Sequence, residues 1–95
     1  MKSFFLAVLA LAADHARSST APDNAELAQA VSAFTGERVQ AADIRQINCA
    51  EIAEEPTEFV CSWQQRSGTR WRSYSTYVAA DGGGWLLIDQ PAPAR

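Results

Sequence analysis

The sequence predicts an α+β domain: one N-terminal helix packed on a four-stranded antiparallel meander sheet, closed by one disulfide. Three observations carry this. One stretch shows helical periodicity, and only strand-like runs follow it. Glycine-bearing turns separate the later runs at hairpin spacing. The only two cysteines, Cys49 and Cys61, stand in neighbouring strand runs on either side of an acidic, proline-bearing segment.

The helix is predicted over about 24–35. Asp23-Asn24-Ala25-Glu26 has the capping-box spacing, an oxygen acceptor at the cap and a glutamate three residues on. Leu27, Ala30, Val31 and Phe34 recur at i, i+3, i+4 and i+7, which lays one apolar stripe along a helix. Gly36 follows as a left-handed C-terminal cap.

Ile44 to Cys49 alternates as a first strand and Glu58 to Gln65 as a second, with Phe59, Cys61 and Trp63 on one face. Arg66-Ser67-Gly68 is predicted as a three-residue turn, Thr69 to Ala80 as the longest strand, Gly82-Gly83 as a two-residue turn, and Trp85 to Asp89 as the last strand.

These turns predict a register. Trp63 is expected opposite Trp71, Cys61 opposite Ser73, Phe59 opposite Ser75, Ala79 opposite Leu86 and Tyr77 opposite Ile88. Ile47, Cys49, Phe59, Cys61, Trp63, Trp71, Tyr77, Ala79, Leu86 and Ile88 are then the core face, under Leu27, Val31 and Phe34. The other face carries Gln64, Arg70, Arg72, Tyr74, Thr76, Val78, Trp85 and Leu87. It is too apolar for a face with no cover, and Tyr, Trp and Arg are the residue types enriched where proteins bind. Arg70, Arg72, Tyr74 and Trp85 are therefore the candidate binding residues. A register slip of one residue exchanges the two faces, and the same argument then falls on Trp71 and Tyr77.

Domain organisation follows from the ends. Met1-Lys2-Ser3 is a short positive segment, Phe4 to Leu11 is an apolar run, and Ala10-Leu11-Ala12 fits small-residue cleavage. Residues 1–12 are thus expected to be a signal peptide, 13–22 a disordered mature N-terminus, 23–90 a single domain and 91–95 a flexible tail. Asp14-His15-Ala16-Arg17 ends the apolar run well short of the ~20 residues that span a bilayer. After cleavage no stable membrane insertion is expected, and the protein is expected to be secreted or periplasmic. Two cysteines allow one internal pairing, and an oxidising compartment favours it.

Charge narrows the partners. The chain has 8 Lys and Arg against 11 Asp and Glu, a net charge of -3. That balance argues against nucleic acid, whose binders need a strongly basic surface. The halves differ, with most acids before Phe59 and four arginines after it. The segment Trp63 to Arg72 mixes arginines with aromatics, a pattern that suits single-stranded nucleic acid or cation–π packing, and the acidic total favours the latter.

No catalytic constellation is legible. His15 is the single histidine and lies outside the predicted domain, both cysteines are assigned to the disulfide, and no His-Glu-x-x-His or nucleophile-elbow pattern occurs. The acidic segment Glu51, Glu54, Glu55 and Glu58 lacks the glycine and aspartates of a calcium loop and reads as solvated. Neither a cofactor nor a metal site is expected. The helix-then-meander order resembles small periplasmic modules such as proteinaceous enzyme inhibitors and envelope accessory domains, and no site residue is taken from that resemblance. The expected role is non-catalytic binding of another protein or an envelope component through the open sheet face. The alternatives are a structural domain that buries the same patch against a second copy and, third, a small enzyme.

Overall fold

The computed structural model describes residues 21–94. The expected signal peptide and most of the expected leader lie outside the described residues. Helix α1 spans Asn24–Thr35 and a 3₁₀ turn spans Ala41–Asp43. Strands β1 (Ile44–Ile52), β2 (Glu55–Ser67), β3 (Arg70–Asp81) and β4 (Gly84–Leu87) follow, with a two-residue β5 at Ala92–Pro93. The four long strands form an antiparallel meander in the order β1-β2-β3-β4, and the helix packs on it. The α+β architecture is as expected.

Local chemistry explains α1. The Glu26 backbone N–H donates to Asp23 Oδ1 at 2.8 Å and the Asp23 N–H donates to Glu26 Oε1 at 2.9 Å, a closed capping box. Gly36 ends the helix at φ 81°, its N–H donating to the Ser32 carbonyl at 2.9 Å. The buried stripe is Leu27, Ala28, Ala30 and Val31. Phe34, expected in the core, stays 45% exposed at the rim of a cleft formed with Thr35, Gln65 and Gln90. Pro22 is buried and Ala21 packs on the core, so the ordered domain begins before the expected boundary.

Cys49 pairs directly with Cys61 across β1 and β2, and the disulfide joins them with their Cα atoms 4.0 Å apart. Both strands run further toward the acidic tip than expected, leaving a tight turn at Ala53-Glu54. Beside Trp63, β1 takes a bulge at Gln46, which adopts φ 56°.

The expected β2–β3 register is wrong. Ser67 pairs with Arg70 around a two-residue Gly68-Thr69 turn, Trp63 faces Tyr74, Cys61 faces Thr76 and Phe59 faces Val78. The displacement is three residues, an odd number, so β3 presents its opposite side to the helix. Apolar burial explains the outcome. The expected register would have placed Ser73 and Ser75 in the core, whereas the observed one buries Val78 and Thr76. The Thr76 hydroxyl is satisfied by donating to the Asp89 carbonyl at 2.7 Å. Gly68, at φ 66°, supplies the positive dihedral at the first position of the shorter turn.

The next hairpin keeps its expected register. Asp81 pairs with Gly84 around Gly82-Gly83, and Ala79 faces Leu86. It turns over as a unit with β3. Leu87 and Trp85 consequently enter the helix side, while Tyr77, Leu86 and Ile88, expected in the core, are exposed. The core is built from Leu27, Val31, Ile44, Phe59, Cys61, Trp63, Val78 and Leu87. Instead of a free tail, Ala92 and Pro93 pair with Ser75 and Tyr74, and the Ala94 N–H donates to the Ser73 carbonyl at 2.9 Å.

Candidate functional site

The side of the sheet away from α1 is the most distinctive surface. Among the described residues, no element lies across it. Its side chains form rows across the strands. Ala50, Val60 and Tyr77 are direct neighbours, and the Ile88 N–H donates to the Tyr77 carbonyl at 2.8 Å, which extends the row. The next row holds Glu58, Ala79 and Leu86. Val60 is 37% exposed, Tyr77 46%, and Leu86 and Ile88 41% each. An antiparallel sheet facing water ordinarily alternates polar residues here. Four large apolar side chains clustered on one uncovered face are instead the signature of an interaction surface.

Small polar residues follow along the strands. Asn48, Ser62 and Ser75 form one row and Gln64 and Ser73 the next. Beyond them sits a cation–aromatic group. The Arg45 guanidinium lies 3.9 Å from the centre of the Trp71 ring, and Arg66 approaches the same ring at 5.8 Å. Arg45 Nε donates to Gln64 Oε1 at 2.7 Å. Arg66 donates through two nitrogens to Asp43 Oδ1, at 2.9 and 3.2 Å. Asp43 also accepts from the Gln40 N–H at 3.0 Å. That backbone bond first, and the Arg66 guanidinium second, hold the Asp43 carboxyl below its ordinary value.

The meander segregates charge along the strands. The Ala53-Glu54 and Gly82-Gly83 turns lie at one end of the sheet, with Glu51, Glu54, Glu55, Glu58 and Asp81. The Gly68-Thr69 turn lies at the other, with Arg45, Arg66, Arg70 and Arg72. The only acid near those arginines in the adjoining 3₁₀ turn is Asp43, already bonded to Arg66. The apolar row lies between the two ends.

The four residues selected from the sequence do not converge on this face. Arg70 and Arg72 are exposed but pair with Ser67 and Gln65, on the helix-facing side of the strand pattern. Tyr74 is half-buried beside Trp63, their ring centres 6.2 Å apart, and Trp85 packs edge-on against Phe59 at 5.6 Å. Tyr74 lines the cleft of about 350 Å³ under Phe34 rather than the open face. The open face is instead marked by Val60, Tyr77, Leu86 and Ile88, with Arg45 and Trp71 toward the arginine end. The sequence signal for it was present. Serines at 73 and 75 belong outside and Val78 inside, which selects the odd register.

No group of three His, Cys, Asp or Glu side chains converges to hold a metal ion among the described residues, and none of their helices is long and apolar enough to cross a membrane. No protein-family model matches the chain, and no match is found among curated proteins or solved structures.

Proposed function

We propose that this chain is an exported, non-catalytic binding module that acts through the helix-free face of its sheet. The observation that carries the reading is the row of Val60, Tyr77 and Ile88, with Leu86 beside it, left exposed on a domain whose other sheet face is filled by the helix. A domain this small buries its apolar side chains first for its own stability, so four left together outside favour a role in contact. The Cys49–Cys61 disulfide supports export, because such bridges persist in oxidising compartments. The partner is a protein or an envelope component, and the surface suits flat, apolar contact with charged ends rather than a deep ligand pocket.

The test pairs two variants with the native protein as bait in affinity capture from the exported fraction. Tyr77→Asp with Leu86→Asp removes the face, while Phe34→Ser alters only the cleft. Loss of captured material with the first variant and retention with the second supports the reading. Equal recovery with all three baits refutes it.

A further inference from the structure

Resting on that reading of the helix-free face, we infer that its occupant is a second copy of this chain, docked face to face with its strands reversed. The argument is one of self-complementarity. A two-fold axis that lies between two stacked sheets and runs across the strands leaves each strand over its own copy and reverses its direction. Set along the row of Ala50, Val60, Tyr77 and Ile88, that axis places each apolar side chain of the row against its own counterpart.

The same operation acts on the charges. Arg45, level with Gln64, stands four residues from the row toward one end, and Glu54, in the turn, stands four residues from Ala50 toward the other. At ~3.3 Å per residue Arg45 lies ~13 Å from the axis and Glu54 no farther than that. Reversal therefore carries Arg45, with its Trp71 stack beside it and Arg66 beyond, over the Glu54-Glu55 tip of the second copy. Each pairing occurs twice. A docking with strands running the same way would set the acidic ends, with Glu58 and Asp81, over each other and the Arg45 and Arg66 ends over each other, an arrangement that like-charge repulsion disfavours. The small Ser62, Ser73 and Ser75 side chains between the apolar row and the arginine end leave room for the approach. A foreign partner would need the same charge dipole in mirror order. A copy of this chain has it by construction of the fold.

Size sets the strength. Four strands at ~4.8 Å spacing and about nine residues of length give a face of roughly 600 Å² per copy. That is below the ~800 Å² per partner of standard stable interfaces. A face this small suits a weak, concentration-dependent dimer, which we place at about 1–100 µM.

Sedimentation velocity on the mature protein from 1 µM to 1 mM tests this. The expected result is a monomer–dimer equilibrium in that range. Tyr77→Asp, at an exposed position that leaves the core intact, weakens it more than about 30-fold. Arg45→Glu alone, and Glu54→Lys with Glu55→Lys, each weaken it about tenfold, and the three together restore it to within about threefold of native. A monomer across the whole range overturns the inference. So does a dimer indifferent to Tyr77→Asp, or one that the combined charge reversal fails to restore. The capture experiment separates the two readings. A monomeric protein whose capture of an exported partner still depends on Tyr77 and Leu86 keeps the binding face and loses the second copy, whereas a monomer with no face-dependent capture loses both.

Discussion

Two adjacent residues, Tyr77 and Val78, decide which side of β3 faces the helix, and their alanine variants should differ sharply. Val78 is fully buried, and its partners across the strands are Phe59 and Leu87. Val78→Ala deletes two methyl groups, about 1.6 kcal/mol of transfer free energy at ~0.8 kcal/mol each. The space left between Phe59 and Leu87 adds a cavity contribution of about 1 kcal/mol. The total is about 2.5 kcal/mol. Tyr77 is 46% exposed and faces Val60 on the open side. Tyr77→Ala should cost no more than about 1 kcal/mol, mostly from strand preference and the cross-strand contact. Urea unfolding followed by tryptophan fluorescence measures both. With a slope of about 1 kcal/mol per molar urea for so small a domain, Val78→Ala moves the midpoint by about 2.5 M and Tyr77→Ala by less than about 1 M. Equal shifts, or the larger one at Tyr77, would refute the register and with it the identity of the open face.

Three further expectations follow from other contacts. Replacing both Cys49 and Cys61 by alanine opens a loop of sequence separation 12 and should lower stability by about 3 kcal/mol in the chain-entropy picture. For a domain of this size that is a fall of roughly 12–24 °C in Tm, readable by calorimetry, and a change under about 3 °C would count against the crosslink as a main stabiliser. Asp43 is held below its ordinary value by the Gln40 N–H and then by Arg66. The stability it contributes is therefore present above about pH 4 and lost as pH falls through the lower folded value. Native protein should exceed Asp43→Asn in stability at neutral pH, and the gap should narrow in acid titrations below about pH 4. A gap that stays constant down to pH 2 would exclude this role. Asp23→Ala opens the capping box and should cost about 1 kcal/mol, with helical circular dichroism lost no earlier than the global transition.

Features set by neighbours in the chain were legible in the sequence. The capping box at Asp23 and Glu26, the left-handed Gly36 and the Gly82-Gly83 turn are local chemistry, and each holds its predicted place. The cysteine pair was also legible, because only one bridge could form. The β2–β3 register was not, since Ser67-Gly68-Thr69 suits a two- or a three-residue turn almost equally. The choice falls to distant packing, in which burying Val78 and Leu87 with Trp63 outweighs pairing Trp63 with Trp71. A period of two makes that one ambiguity global. Every assignment on β3 and β4 changed sides together, which moved Tyr74 and Trp85 inward and Tyr77, Leu86 and Ile88 outward. Phe34 failed for a different reason. Ala28 joins the buried stripe, and the last helical turn overhangs the cleft beside Gln90 instead of resting on the sheet.

A single twelve-residue helix can cover one face of a four-stranded sheet and no more. The second face must then be polar, or be covered by something else, or be borne at a cost in solubility. Along most of this sheet the first solution holds, with Asn48, Ser62, Ser73, Ser75 and Gln64 facing outward. Large exposed apolar side chains break it in the row of Val60, Tyr77 and Ile88 and at Leu86, between an acidic end and a cationic one, while the outward Trp71 is covered by the Arg45 guanidinium. If outward apolar residues were merely tolerated, nothing would confine the exposed ones to adjacent strands in two neighbouring rows, with acids toward one end and arginines toward the other. Confinement of the apolar side chains and segregation of charge to the two ends are the features on which the proposed contact role rests. The Cys49–Cys61 disulfide joins β1 and β2 one residue along from Ala50 and Val60, so it clamps the two strands at the level where the exposed row begins.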